Sequence, residues 1–162
     1  MATPLTVRVV EHQAQIFRRF WRGSATFYIL NPVLFLAAIG FGLGGLVQES
    51  TGNVGGVPYD AFVAPGLLAA SAMLGATAES LWPVMAGTKW VRTFHAMVAT
   101  PVRPADVYAG VVAWTTVRSA VGASIFLIVA AILGAVLSPW GVLAIPAAAL
   151  CATAFAAPLT AF

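Results

Sequence analysis

The chain has 162 residues, of which 60% are hydrophobic and only 8% are charged, with a formal net charge of +3. An average soluble domain has roughly 25% charged residues, so this composition excludes an ordinary water-soluble fold and indicates that lipid surrounds much of the chain. The positive charge does not indicate nucleic-acid binding, because the basic residues follow the boundaries of apolar segments and form no continuous stripe. Cys151 is the only cysteine, which excludes an internal disulfide.

The basic residues alternate with long uncharged segments along the chain. Seven of the eight lie in two polar stretches, namely Arg8, Arg18, Arg19 and Arg22 before the first apolar run, and Lys89, Arg92 and Arg103 between the second and third. Cytoplasmic loops of membrane proteins are enriched in lysine and arginine. The pattern therefore predicts a multi-pass membrane protein with its N-terminus in the cytoplasm.

The first predicted element is an amphipathic helix over residues 6–22. At helical spacing its apolar and aromatic residues share one half, and its charged residues crowd the other. This pattern is typical of a helix that lies in the membrane interface. The residues assigned to this interfacial helix are Arg8, Phe17, Arg18, Arg19, Trp21 and Arg22. The helix either only anchors the chain or also receives motion from a cytoplasmic partner.

The first apolar run, over residues 24–47, is long enough for a transmembrane helix. Asn31-Pro32 lies in its first half, where a proline bends a helix or frees a backbone carbonyl. Gly40 and Gly44 follow with the spacing that allows close contact between helices. These glycines indicate close helix packing, or simply the end of the helix, or a surface that faces the substrate.

The remaining predicted transmembrane helices of this all-α membrane protein cover residues 61–85, 104–136 and 141–162. Pro104 and Asp106 suit the first turn of the third of the four helices. Ser138-Pro139-Trp140 predicts a tight turn with an interfacial aromatic residue. No charge follows Arg118, although a helix returning to the cytoplasm should end in a basic flank. We therefore expect the chain to be the N-terminal part of a longer polypeptide.

The polar connection over residues 87–101 predicts a short cytoplasmic helix. Trp90, Phe94 and Met97 share one face of it, and Thr100-Pro101 ends it, since the residue before a proline avoids helical geometry. Such anchors fit a groove on a partner protein. The residues assigned to this docking helix are Lys89, Trp90, Arg92, Phe94 and Met97. The alternative is a connector that contacts only lipid.

Two ionisable residues lie inside the apolar runs, Glu79 in the second and Arg118 in the third. Charged groups at this depth cost several kcal/mol unless they are paired or hydrated. Because the two runs are antiparallel neighbours, we predict an ion pair between these side chains. The alternatives are two independent side chains that face a wet cavity or snorkel to the membrane surface, or a proton-carrying Glu79, although an adjacent arginine would keep that carboxylate charged.

The sequence shows no catalytic constellation. His12 and His95 are isolated, and no cluster of cysteine, histidine and acidic residues has metal-binding spacing. Gly87-Thr88-Lys89 lacks the upstream glycine and the residue order of a phosphate-binding loop. We therefore expect a protein that is not an enzyme and holds no cofactor.

Taken together, several segments resemble the membrane-spanning subunit of ABC-2-type exporters, and most closely the branch of nodulation lipo-oligosaccharide export and daunorubicin-resistance permeases. The resemblance is carried by the amphipathic start, Asn31-Pro32, Gly40-Phe41-Gly42-Leu43-Gly44, Tyr59-Asp60-Ala61-Phe62-Val63-Ala64-Pro65-Gly66, Ala76-Thr77-Ala78-Glu79, Thr100-Pro101-Val102-Arg103-Pro104-Ala105-Asp106, Trp114 and Arg118. It extends over essentially the whole chain.

The resemblance implies a fold and a working arrangement. Such permeases have six spans, of which this chain would hold four, and lie in the plasma (inner) membrane. Residues 6–22 would be the connecting helix, and Lys89 to Ala99 would be the coupling helix that docks on a separate ATPase subunit carrying ATP and Mg²⁺. Two permeases would pass a lipidic, glycan-linked or hydrophobic drug-like substrate between them.

Two other classes of function fit the same composition. A self-contained four-span secondary transporter would need a membrane carboxylate without a fixed cationic partner. A non-transporting membrane scaffold would need no ATPase partner.

Overall fold

The structure, a computed structural model, describes residues 5–38, 42, 56–136 and 138–161, without the side chains of 20, 21, 23–33, 35, 36 and 60. All regular elements in these ranges are helical. They are α1 (Leu5–Ala37), α2 (Tyr59–Met85), a π turn (Ala86–Trp90), α3 (Thr93–Val98), α4 (Pro104–Ile132), a 3-10 turn (Pro139–Leu143) and α5 (Ala144–Ala161).

Within the described ranges, three segments are long and apolar enough to cross a membrane. They are Ala61–Trp90, Pro104–Ile132 and Pro139–Ala161. These segments correspond to the second, third and fourth predicted transmembrane helices. The end of the first predicted helix, with Gly40 and Gly44, lies outside the described residues.

The start of α4 follows from its local sequence. Pro104 occupies the first turn, where its missing N–H group costs no hydrogen bond. Asp106 Oδ2 accepts a hydrogen bond of 3.3 Å from the backbone N–H of Arg103. The carboxylate also lies at the positive end of the helix dipole, as predicted.

The end of α4 is set by a glycine. Gly134 has a φ of 79°, and its N–H donates to the carbonyl of Ala131. The N–H of Ala135 donates to the carbonyl of Ala130. This Schellman arrangement ends the helix at Ile132, short of the predicted boundary at 136, because glycine adopts the left-handed conformation without a steric penalty.

Helix α4 is the centre of the bundle and packs against α1, α2 and α5, while α2 also packs against α5. Phe126 of α4, Leu68 of α2 and Ala148 of α5 belong to one buried cluster. Ala148, Ala152 and Ala156 repeat every four residues along α5, and all three are buried. Small residues at this spacing let helix backbones approach closely.

The first two predicted helices form one element in the structure. We predicted an interfacial helix over 6–22 and a transmembrane helix over 24–47, whereas α1 runs without a break from Leu5 to Ala37. The predicted boundary at Gly23 is therefore wrong. One glycine in a helix interior costs only about 1 kcal/mol, which is too little to end a helix that is packed along a neighbour.

The N-terminal half of α1 runs parallel to the first half of α4. Thr6 Oγ1 donates a hydrogen bond of 3.1 Å to Asp106 Oδ1. Val9 is only 3% exposed, and it lies against Gly110. Because residue numbers rise together along both helices, α1 and α4 are parallel.

Gly110→Ala is expected to loosen α1 from α4, because a Cβ atom at this position would lie 2.7 Å from Cβ of Val9. Overpacking of this kind costs about 1–3 kcal/mol. The free energy of unfolding, measured by denaturant titration in mixed micelles, should fall by that amount. Gly75→Ala is the matched control, since its Cβ meets nothing within 4 Å. Equal destabilisation by the two variants would contradict the close helix contact.

Candidate functional site

The structure brings Glu79 of α2 and Arg118 of α4 together. Arg118 Nη2 lies 3.0 Å from Glu79 Oε1, and the two side chains are 22% and 17% exposed. The two helices are antiparallel neighbours, as the sequence predicted. Each charge offsets part of the desolvation cost of the other, which is large inside a membrane span.

An aromatic residue of α1 also contacts the guanidinium group. The Arg118 guanidinium carbon lies 4.7 Å from the centroid of the Phe17 ring, within the range of a cation–π interaction. The Phe17 ring also meets Trp114 edge-on, with centroids 5.9 Å apart and an interplanar angle of 66°. Phe17, Trp114, Arg118 and Glu79, which we call the polar clamp, therefore join α1, α4 and α2.

Sequence reasoning assigned Phe17 to the lipid-facing side of an interfacial helix and missed its contact with Arg118. Part of the signal was present, because Trp114 precedes Arg118 by one helical turn and shares its face. The partner helix could not be inferred, since nothing in the pattern of residues 6–22 shows which neighbour an aromatic face meets.

A second polar link, which sequence reasoning also missed, joins α4 to α5. The Oγ1 atoms of Thr116 and Thr153 lie 2.8 Å apart. The Tyr108 hydroxyl donates a hydrogen bond of 3.1 Å to the carbonyl of Ala157. Hydroxyl groups in transmembrane helices commonly bond across a helix interface, so threonine in an apolar run was an available signal.

The cytoplasmic connection differs from the single helix predicted over residues 87–101. Arg92 has a φ of 57°, and it separates the π turn from the short helix α3. Lys89 and Trp90 belong to the π turn, whereas Phe94 and Met97 belong to α3. The shared face predicted for Trp90, Phe94 and Met97 is therefore wrong, because the left-handed residue redirects the chain between them.

The two aromatic rings of this connection pack in different places. Phe94 lies against Gly87, where an added Cβ would come within 2.8 Å of the ring. Trp90 stacks on Trp82 of α2, with ring centroids 6.4 Å apart. Phe94 is half-buried, and it positions α3 against the π turn. Trp90 is 62% exposed and is the last residue of the apolar segment Ala61–Trp90.

The charged residues of this connection are exposed, and so are those of the N-terminal helix. Lys89 and Arg92 are exposed, and Met97 is half-buried. In α1 the exposed charged residues are Arg8, Glu11, Arg18, Arg19 and Arg22. Trp21 belongs to α1, but its side chain lies outside the described residues. The polar side of the predicted amphipathic helix thus faces away from α4.

No metal centre emerges from the part of the chain that the structure describes. No group of three or more histidine, cysteine, aspartate or glutamate side chains could hold a metal ion there. His12 and His95 lie apart, on α1 and α3.

Apolar helices long enough to cross a bilayer, packed in one bundle with an ion pair between them, define a multi-pass α-helical membrane protein. Comparison with known proteins identifies the family. The chain is 35% identical over 140 residues to nodulation protein J of Sinorhizobium fredii, a match that covers 84% of the chain and 52% of that protein.

Two further relatives with the same name give similar values. Nodulation protein J of Rhizobium leguminosarum bv. trifolii is 37% identical over 131 residues, which is 80% of the chain and 48% of that protein. The protein of Rhizobium meliloti is 34% identical over 142 residues, covering 84% and 52%. The chain belongs to the ABC-2-type transport permeases, in the branch of nodulation protein J, and the predicted family is confirmed.

The chain spans about half the length of the curated relatives it matches. No family model matches the chain. No solved structure matches it either.

Proposed function

We propose that the chain is a permease subunit of an ATP-driven exporter and forms part of its transmembrane path. The observation that carries the proposal is the match to nodulation protein J over 84% of the chain. The permease performs no chemistry itself. A separate ABC ATPase subunit hydrolyses ATP with Mg²⁺, and a second permease completes the path.

The proposed substrate is lipidic, glycan-linked or a hydrophobic drug-like molecule. Helices with many exposed apolar side chains suit such a molecule, because contact between two apolar surfaces removes both from water. The resemblance to nodulation lipo-oligosaccharide export permeases favours a glycan carrying a lipid chain within this range.

The proposed orientation places the N-terminus and the π turn–α3 connection on the cytoplasmic side of the plasma (inner) membrane. Both basic stretches then lie on the side where positive charge is enriched. Arg8 lies between Thr6 and Val9, which contact the first turns of α4, and it would face anionic headgroups, where one basic side chain contributes about 1 kcal/mol. Phe17 contacts Arg118 far inside the α4 span, so only the first turns of α1 are proposed to lie at the membrane surface.

The proposed coupling surface is α3 with the residue that precedes it. Arg92 is exposed before α3, Met97 lies within it, and Phe94 holds it against Gly87. A push on α3 would reach α2 through the π turn and would then pass to α4 and α1 through the polar clamp. Movement of the spans would therefore follow ATP-driven movement of the partner.

Arg92→Glu is expected to lower binding of the ABC ATPase subunit by at least about tenfold, because a reversed charge at a docking surface creates repulsion in place of attraction. The permease and a candidate partner ABC ATPase are co-expressed in membranes, and their complex is quantified after purification. Trp140→Ala is the matched control, since this exposed residue lies in the 3-10 turn between α4 and α5. Unchanged ATPase binding by Arg92→Glu would contradict the coupling surface.

A further inference from the structure

Two tryptophans form an exposed, stacked pair at the end of α2. The Trp82 and Trp90 ring planes differ by 28°, and the residues are 61% and 62% exposed. The π turn produces this arrangement. The N–H of Val91 donates to the carbonyl of Ala86, five residues back, which widens the helix and brings Trp90 to the face that carries Trp82.

The pair lies where a membrane-spanning segment ends. The segment Ala61–Trp90 is long and apolar enough to span a bilayer, and Trp90 is its last residue. Tryptophan is enriched at this level of a membrane because its ring is apolar and its indole N–H is a hydrogen-bond donor. The headgroup layer accommodates both parts, whereas neither bulk water nor the hydrocarbon core does.

The charge around the pair is positive. Lys89 is exposed next to Trp90, and Arg92 is exposed just beyond the π turn. The sequence contains no acidic residue between Glu79 and Asp106. A basic surface of this kind complements the headgroups of anionic phospholipids in the cytoplasmic leaflet.

We propose that Trp82, Trp90 and Lys89 form a binding site for anionic phospholipid headgroups and thereby fix the depth of the α2 end in the membrane. The site rests on the proposed function in one respect, which is the orientation that places the end of α2 on the cytoplasmic side of the membrane. It assigns Trp90 and Lys89 to lipid and leaves contact with the ATPase to Arg92 and α3. The bilayer would thus hold one side of the connection while the ATPase moves the other.

Brominated lipids test this site directly. The full chain is reconstituted in vesicles of phosphatidylcholine that contain phosphatidylglycerol brominated close to the headgroup. The variant Trp82→Phe with Trp90→Phe keeps the stacked rings but removes both indoles, so its difference from the unaltered chain isolates their fluorescence. We expect brominated phosphatidylglycerol to quench this difference signal and dissolved iodide to quench it little.

Lys89→Gln tests the role of charge. It is expected to lower the preference of the pair for brominated phosphatidylglycerol over brominated phosphatidylcholine by about fivefold, the contribution of one basic side chain at an anionic surface. Lys89→Arg should retain the preference. The fluorescence of Trp140, obtained as the difference between the unaltered chain and Trp140→Phe, is the matched control. Its quenching should not change in Lys89→Gln.

Three results would overturn the lipid site. Equal quenching by the two brominated lipids in the unaltered chain would show no headgroup preference. Strong iodide quenching without bromine quenching would place the pair in water. Loss of bromine quenching when the ABC ATPase binds would assign the pair to the protein partner. Failure of the ATPase to bind at all would contradict the proposed function but would leave this lipid measurement unaffected.

Discussion

Glu79→Gln is expected to lower the free energy of unfolding by about 3 kcal/mol, because it leaves a partly buried guanidinium group without its counter-charge. Arg118 would lose the carboxylate that lies 3.0 Å from Nη2 and would keep its contact with Phe17. Arg118→Gln should destabilise the bundle to a similar extent. Denaturant titration of the purified chain in mixed micelles measures both changes.

The double variant decides whether the two residues act as a pair. Glu79→Gln combined with Arg118→Gln should cost less than the sum of the single changes, with a coupling energy of about 1–3 kcal/mol. Glu11→Gln is the control, since this exposed carboxylate of α1 should change stability by less than about 0.5 kcal/mol. Simple additivity in the double variant would show that the two side chains are energetically independent.

Phe17→Ala is expected to release the first half of α1 from α4. The change removes the cation–π contact with Arg118 and the edge contact with Trp114. Truncating a packed phenylalanine costs about 3 kcal/mol, and much of that cost should fall on this one helix interface. Amide hydrogen exchange should therefore accelerate in residues 5–17 more than in α2 or α5.

Two other variants of Phe17 separate the cation–π contribution from that of apolar volume. Phe17→Tyr keeps an aromatic ring over Arg118 and should preserve the protection of α1, whereas Phe17→Leu keeps apolar volume but loses the cation–π contact. Ile16→Ala is the matched control, because Ile16 is exposed on the same helix. If Ile16→Ala accelerated exchange as much as Phe17→Ala, the aromatic contact would not hold α1.

The features that the sequence predicted well depend on local rules. The long apolar run and Pro104 located α4, because bilayer thickness and the proline ring constrain every chain in the same way. The contact between Glu79 and Arg118 could be predicted because two antiparallel neighbouring helices offer few partners for a charge in lipid. The family could be predicted because several short segments along the chain together resemble it.

The features that the sequence missed depend on contacts between elements. The prediction placed a boundary at Gly23, whereas α1 continues through it, because one glycine costs a helix only about 1 kcal/mol. The break at Arg92 is a left-handed residue that is not glycine, and helical periodicity carries no signal for it. The stacking of Trp90 on Trp82 depends on the π turn, which shifts the helical register that the prediction assumed.

ATP-dependent transport in inside-out membrane vesicles tests the proposed function most directly. The vesicles contain the chain with a partner ABC ATPase subunit, and the probe is a fluorescent anthracycline or a fluorescent lipid-linked oligosaccharide added outside. Our account predicts that the vesicles accumulate the probe with ATP and Mg²⁺, and that a non-hydrolysable ATP analogue abolishes accumulation. Accumulation driven by a proton gradient in the absence of ATP would contradict the account and would favour a self-contained secondary transporter.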